Sequence, residues 1–126
     1  MDKKFYITTP IYYPSAKPHM GHAYSSIIAD FFARFKRMDG FDVQFLTGTD
    51  EHGLKIQRSA EKQNIDPLEF CNQISQTFRD LSQTLNLTNT DFIRTTESRH
   101  KKTVQHLWNE LEKNDDIYLS KYSGWY

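Results

Sequence analysis

Hydrophobic and polar residues alternate from Phe41 to Leu46, as they do in a half-buried β-strand. Another strand is predicted earlier in the chain, from Phe5 to Thr9. A helix is predicted between them, and Gly40 stands where its C-terminal cap is expected. Its large apolar residues recur three and four positions apart: Tyr24, Ile27, Ile28, Phe31, Phe35 and Met38. Strand, helix and strand in this order predict a right-handed crossover between parallel strands, and hence an α/β fold.

Two further helices and one short strand are predicted in the rest of the chain. Asp66-Pro67-Leu68-Glu69 combines a capping aspartate, a proline at the first helical position and a glutamate three residues after the cap. An apolar stripe follows, which predicts core packing: Leu68, Cys71, Ile74, Phe78, Leu81 and Leu85. Asp91–Arg94 is predicted as a strand, and a helix from about Glu97 to Lys113 is predicted to turn Val104, Leu107, Trp108 and Leu111 inward.

Composition limits the function without choosing it. The chain has 126 residues, about the length of one domain, and its 16 basic and 16 acidic side chains cancel. A global basic field for nucleic acid is therefore absent. Cys71 is the only cysteine, which excludes an internal disulfide and a four-cysteine zinc site. We find no bilayer-spanning apolar run and no signal-peptide pattern, so we expect a soluble cytoplasmic protein.

The segment Pro18-His19-Met20-Gly21-His22 lies where the first strand has ended and the first helix begins. A helix N-terminus suits an anion, and Gly21 lets a nucleotide approach the backbone because it has no Cβ. His19 and His22 are three residues apart, so they can donate together to phosphate oxygens. The same spacing is also found in pairs of surface histidines and in half of a metal site.

A polar loop, Thr47-Gly48-Thr49-Asp50-Glu51-His52-Gly53, follows the second strand. Ligands of open parallel sheets bind beyond the carboxyl ends of the strands, so this loop and the histidine segment are predicted to face one crevice. One side of the crevice offers phosphate donors and the other a carboxylate. Asp50 has a second interpretation as the N-cap of a helix starting near Leu54.

These segments, together with Thr8-Thr9-Pro10-Ile11-Tyr12-Tyr13, resemble bacterial methionyl-tRNA synthetases, which are class I aminoacyl-tRNA synthetases. The resemblance extends from about residue 4 to Tyr122-Ser123-Gly124-Trp125-Tyr126, which is similar to the family's entry into its connective insertion. It implies the N-terminal part of a Rossmann-like parallel sheet of the HIGH-type nucleotidyltransferases. Residues 1–117 would form the first half of the catalytic nucleotide-binding domain, and residues 118–126 the truncated start of the insertion.

The resemblance also implies the chemistry: a ligase that activates methionine with ATP and transfers it to tRNA(Met). His19, Gly21 and His22 would bind ATP with its Mg²⁺, and the two histidines would stabilise the charge that builds on the α-phosphate. Asp50 would bind the α-ammonium of methionine. Ile11 and Tyr13 would line the methionine site, with Tyr13 over the thioether, although a Tyr-Tyr pair after a strand is also typical of plain packing. The resemblance gives Glu51 and His52 no firm contact.

The family's second signature, a Lys-Met-Ser-Lys-Ser loop, does not occur in these residues. We therefore expect this chain alone to be an incomplete, inactive portion of a ligase. We expect no zinc on this segment, no membrane association and no protein partner. Two interpretations remain for Arg94 and the basic cluster from His100 to Lys102. One is a contact with the acceptor end of tRNA, and the other is a solvated helix surface.

Two other classes of function remain open at this point. One is a metal-dependent hydrolase in which His19, His22, Asp50 and His52 ligate zinc or a similar ion, since imidazole and carboxylate suit it. The other is a non-catalytic remnant that keeps the fold, or part of it, and has lost the reaction. Stoichiometric metal would favour the first, and ATP binding without pyrophosphate exchange would favour the second.

Overall fold

The structure is a computed structural model that describes residues 3–124, so Trp125 and Tyr126 of the predicted insertion lie outside the described residues. It has two compact units, one ending at Thr96 and the other beginning at Glu97. The described elements follow in the order β1 (Lys4–Thr8), α1 (Met20–Met38), β2 (Asp42–Thr49), α2 (Leu54–Gln63), α3 (Pro67–Thr84), β3 (Asp91–Arg94) and α4 (Ser98–Lys113). None of the described helices is long and apolar enough to cross a membrane.

The sheet confirms the predicted parallel α/β arrangement. β2 lies between β1 and β3, and both neighbours run parallel to it. Phe5 is opposite Val43, and Thr47 is opposite Phe92. The carboxyl ends of all three strands therefore meet at one edge, where the histidine segment and the Asp50 loop emerge.

Helix α1 packs on the sheet through small residues, not through the large apolar residues that predicted it. Its buried positions are Ala23, Ser26, Ala29, Asp30 and Ala33. The large residues are exposed, with Phe31 at 64% and Phe35 at 53%. Alanine brings the helix backbone close to the buried side chains of Val43 and Phe45. Periodicity detects an apolar face, but it does not tell which of two apolar faces packs on the sheet.

Asp30 is a buried charge that links α1 to the chain before β3. Its carboxylate accepts hydrogen bonds from Arg34 Nε at 2.6 Å and from the Thr88 backbone N–H at 2.7 Å. Burial alone raises the pKa of the Asp30 carboxyl, but the hydrogen bonds from Thr88 and Arg34 outweigh it and hold that pKa below its ordinary value of 3.8. The carboxylate is therefore a structural anion.

We expect Asp30→Ala to lower the free energy of unfolding by about 2–3 kcal/mol, because it leaves partly buried donors without a charged acceptor. Urea unfolding of the chain, followed by far-UV circular dichroism at low protein concentration, measures this. The difference in unfolding free energy between the parent and the variant should be complete above 3.8, the pKa of the Asp30 carboxyl in the unfolded chain. It should be lost as the pH falls through the lower pKa of that carboxyl in the folded chain. Asp39→Ala is the control, since Asp39 is exposed and its contact with Lys36 is 3.6 Å long. Equal effects of the two substitutions would contradict this role for Asp30.

Two other expectations for the helices have different outcomes. The start of α3 is confirmed, because Asp66 Oδ1 accepts from the backbone N–H groups of Leu68 at 2.8 Å and Glu69 at 3.1 Å. Of its predicted stripe, Cys71 and Phe78 are buried and Leu68 is exposed, while the buried residues Phe70 and Ser75 were not predicted. The prediction that α4 turns its apolar face inward is wrong. That helix buries none of its residues, and Val104, Leu107 and Trp108 are about half exposed.

Candidate functional site

The two histidines cap helix α1 through each other. His19 is the N-cap residue, and its Nδ1 accepts the backbone N–H of Gly21 at 3.0 Å. His22 returns the interaction, because its Nδ1 accepts the backbone N–H of His19 at 3.0 Å. This is the geometry of a capping box, with imidazoles in place of the usual Ser or Thr and Glu or Gln.

The capping bonds determine which ring nitrogen is free to bind a ligand. Because Nδ1 of each ring accepts a hydrogen bond, each neutral imidazole carries its proton on Nε2. The rings of His19 and His22 lie face to face at a tilt, with centroids 3.9 Å apart. The pair therefore presents two adjacent Nε2–H donors, which is what phosphate oxygens accept.

His22 is held in place by aromatic side chains. Its ring lies nearly perpendicular to those of Tyr12 and Phe78, with centroids 4.8 and 5.1 Å away. Burial, and next the charge of neighbouring His19, hold the pKa of His22 below 6.5. His22 is therefore neutral at pH 7 and keeps the capping bond that protonation of Nδ1 would break.

Gly21 also makes room for the His19 ring. A Cβ at this position would lie 2.9 Å from Cε1 and 3.1 Å from Nδ1 of His19. Glycine therefore leaves room for the His19 ring to fold back over the first turn. The approach of a nucleotide to this backbone remains a prediction.

Tyr12 joins the two halves of the site, which the sequence analysis did not predict. Its side chain is buried, and its hydroxyl lies 2.9 Å from both Ser25 Oγ and Ser26 Oγ on α1. Its backbone N–H donates to Gly48 O at 3.0 Å, and its carbonyl accepts the N–H of Asp50 at 2.8 Å. The segment after β1 is thereby fixed to both the histidine helix and the Asp50 loop.

Asp50 does not cap helix α2, so that alternative is wrong. The N-cap of α2 is Gly53, which makes no side-chain capping bond. The Asp50 carboxylate receives one long hydrogen bond, from Thr95 Oγ1 at 3.4 Å. No basic side chain of residues 3–124 forms an ion pair with it. A half-buried carboxylate with so few partners is available for a cation.

Glu51 and Arg94 form an ion pair that sequence reasoning missed. Arg94 Nε donates to Glu51 Oε1 at 2.7 Å, and its Nη2 donates to Asn72 Oδ1 at 2.8 Å. The guanidinium considered for tRNA contact is thus engaged inside the fold.

Burial and, next, the charge of Glu51 raise the pKa of the Cys71 thiol to about 11, so this cysteine stays protonated at neutral pH.

Two adjoining cavities collect the predicted site residues. The first, of about 370 Å³, is lined by Ile11, Tyr13, His19 and His22 among others. The second, of about 530 Å³, is lined by Tyr13 and Asp50. Both also include Lys55, which the sequence analysis did not single out. Residues chosen from three separate segments therefore share one surface region.

The metal-site alternative lacks its ligand cluster. Among the residues that the structure describes, no three His, Cys, Asp or Glu side chains are placed to hold one ion together. His19 and His22 use Nδ1 for capping, and His52 Nε2 lies 3.3 Å from the carbonyl oxygen of Thr95. Three of the candidate ligand nitrogens are thus already engaged within the fold.

Comparison with known proteins finds similar sequences over almost the whole chain. The mitochondrial methionine-tRNA ligase of Takifugu rubripes is 54% identical over 125 residues, covering 99% of this chain and 21% of that protein. The methionine-tRNA ligase of Bacillus subtilis is 54% identical over 122 residues, covering 97% of this chain and 18% of that protein. The chain thus spans about a fifth of the length of these curated relatives.

A solved structure and a family model also match almost the whole chain. The crystal structure of Mycobacterium tuberculosis methionyl-tRNA synthetase bound by methionyl-adenylate matches with a TM-score of 0.94 and 46% identity, covering 98% of this chain and 25% of that one. This confirms the predicted Rossmann-like fold. The model of the family described as "tRNA synthetases class I (M)" matches residues 5–126. Since that match covers nearly every residue, the chain belongs to the class I tRNA synthetases of the methionine type.

Proposed function

We propose that this chain supplies the ATP-binding histidines and the ammonium-binding carboxylate of a methionine-tRNA ligase. The observation that carries the proposal is the pair of adjoining cavities, with two imidazole Nε2–H donors at one and the unpaired Asp50 carboxylate at the other. A ligand that carries an anionic group and a cationic group at separate positions fits this arrangement. Methionyl-adenylate, the molecule bound to the Mycobacterium tuberculosis relative, has an ammonium group and a phosphate at such separate positions.

In the proposed reaction, the carboxylate oxygen of methionine attacks the α-phosphorus of ATP. The bond to the bridging oxygen breaks, and pyrophosphate leaves with that electron pair. His19 and His22 hold the phosphate oxygens as negative charge builds on them, and Gly21 keeps the His19 ring in position. Asp50 holds the ammonium of methionine, so that the methionine carboxylate points at the α-phosphorus. Catalysis is thus by positioning and electrostatic stabilisation.

The side chain of methionine would contact Ile11 and Tyr13. Ile11 is 43% exposed and Tyr13 58% exposed, so both present free surface beside the cavities. An aromatic ring suits a polarizable thioether. Mg²⁺ would enter with ATP, held chiefly by the phosphates, as is usual for this ion. The adenylate would then acylate tRNA(Met).

The division of the chain belongs to the same proposal. Residues 1–117 would be the first half of the catalytic domain, and residues 118–126 the start of the connective insertion. The protein would act in the cytoplasm.

The proposal is tested in a full-length ligase, made by placing residues 1–126 in the matching region of the Bacillus subtilis relative. We expect methionine-dependent exchange of pyrophosphate into ATP, with leucine at the same concentration giving none above background. ATP binding without exchange in this protein would support the non-catalytic remnant and contradict the proposal.

Asp50→Asn in the full-length ligase should weaken methionine binding by roughly 1.5–3 kcal/mol, the range for a hydrogen bond to a charged group. The amide keeps the shape and loses the charge, so ATP affinity and melting temperature should stay near the parental values. Isothermal titration with methionine measures the loss. Asp116→Asn, a change at an exposed carboxylate outside the cavities, is the control. Parental methionine affinity in the Asp50 variant would exclude Asp50 as the ammonium partner.

A further inference from the structure

The Glu51 side chain is fully buried, at 0% exposure, while its partner Arg94 is 18% exposed. The carboxylate accepts from Arg94 Nε at 2.7 Å and from Thr49 Oγ1 at 2.9 Å. Its other oxygen accepts from Thr96 Oγ1. Each carboxylate oxygen therefore has a partner inside the fold, and none of these contacts leaves the side chain free to meet a ligand.

The segment after β3 holds every residue of the Asp50-Glu51-His52 loop. Thr95 Oγ1 accepts the backbone N–H of Glu51 at 2.8 Å and lies 3.4 Å from Asp50 Oδ1 as a donor. The Thr95 carbonyl lies 3.3 Å from His52 Nε2. Thr95 also continues the sheet, since its N–H donates to Thr49 O at 3.1 Å. The position of the loop is thus fixed by contacts between residues more than forty positions apart.

The two neighbouring carboxylates are in opposite electrostatic situations. Glu51 is neutralised by Arg94, whereas Asp50 has no ion pair within residues 3–124. An unpaired carboxylate in the Glu51 position would be unstable, because burial without a partner is strongly unfavourable. Pairing Glu51 therefore leaves Asp50 as the one carboxylate of this loop that a cationic ligand can reach.

We propose that Glu51 and Arg94 are positioning residues for recognition of the substrate ammonium. Their buried pair holds Thr95 and the loop so that the Asp50 carboxylate faces the cavity. The inference rests on the proposed function, since it takes Asp50 as the ammonium-binding group. Neither Glu51 nor Arg94 touches the substrate.

Glu51→Gln in the full-length ligase tests the pair, because glutamine has the same shape and lacks the charge. We expect the KM for methionine in pyrophosphate exchange to rise about tenfold, within the usual range of couplings between contacting residues. The kcat and the KM for ATP should change less than twofold. Glu112→Gln, at an exposed position, is the control and should match the parent. A purely structural role would instead lower the melting temperature and impair ATP and methionine kinetics together.

A double-mutant cycle with Asp50→Asn shows whether Glu51 acts through Asp50. If it does, Glu51→Gln has no further effect on the methionine KM once Asp50 is Asn. Independent effects that multiply would overturn the positioning role and leave the proposed function standing. If Asp50→Asn alone leaves the methionine KM unchanged, the proposed ammonium site itself is wrong.

Thr95 provides a second, milder variant in case Glu51→Gln does not fold. Thr95→Val removes the hydroxyl that links Glu51 N–H to Asp50, and Thr95→Ser keeps it. We expect the valine variant to raise the methionine KM several-fold and the serine variant to restore it. Equal methionine KM values in the valine and parental enzymes would overturn the inference.

Discussion

His19→Asn and His22→Gln are each expected to slow methionyl-adenylate formation by about 10²-fold or more in the full-length ligase. Both substitutions remove an imidazole that lines the first cavity. Both also keep the helix cap, because asparagine is a good N-cap and glutamine is a usual residue at the third helical position. The loss should therefore appear in the rate while the melting temperature stays close to that of the parent.

Rapid-quench measurement of a single turnover, with methionine and ATP saturating, gives the adenylation rate directly. His19→Ala is the comparison variant, since it loses the cap as well and should unfold about 1 kcal/mol more easily. Methionine affinity should change little in all three variants. If the asparagine and glutamine variants form adenylate at the parental rate, the histidines are capping residues and take no part in the reaction.

The chain of 126 residues on its own is expected to show no methionine-dependent exchange of pyrophosphate into ATP above background. It spans only about a fifth of the curated relatives, and it contains no Lys-Met-Ser-Lys-Ser string. Groups that act together in a transition state do not leave a proportionate share of activity when several are missing. Exchange by the full-length ligase under the same conditions is the control.

The isolated chain should also self-associate. β1 and β3 are edge strands, and the exposed side of α1 presents a row of large apolar side chains, Phe31 and Phe35 among them. Such edges and patches favour association. Light scattering should show oligomers, and Phe31→Ser with Phe35→Ser should reduce them. Robust exchange from a monodisperse monomer would contradict both expectations.

The sequence was sufficient where short-range patterns decide the structure. Alternation predicted β2, capping residues predicted α3, and the order of elements predicted the parallel sheet. That order also predicted one edge of the sheet for His19, His22 and Asp50, because each follows the carboxyl end of a strand. The structure places them there.

Contacts between distant residues were beyond the sequence. Glu51 meets Arg94 across 43 positions, and a signature residue with a buried partner looks the same in sequence as one that binds substrate. The need for glycine at position 48 also depends on a distant residue. A Cβ there would lie 2.0 Å from the carbonyl oxygen of Ile93 on the neighbouring strand. Burial of the alanine face of α1 was missed because large apolar residues dominate a periodicity analysis.

A crystal structure of the full-length ligase with a non-hydrolysable methionyl-adenylate analogue tests the central claim most directly. We expect the ammonium nitrogen within about 3 Å of an Asp50 carboxylate oxygen, and the phosphate oxygens at a similar distance from Nε2 of His19 or His22. The two Nδ1 capping bonds should persist. An ammonium bound away from Asp50, or a phosphate that neither histidine contacts, would contradict the account.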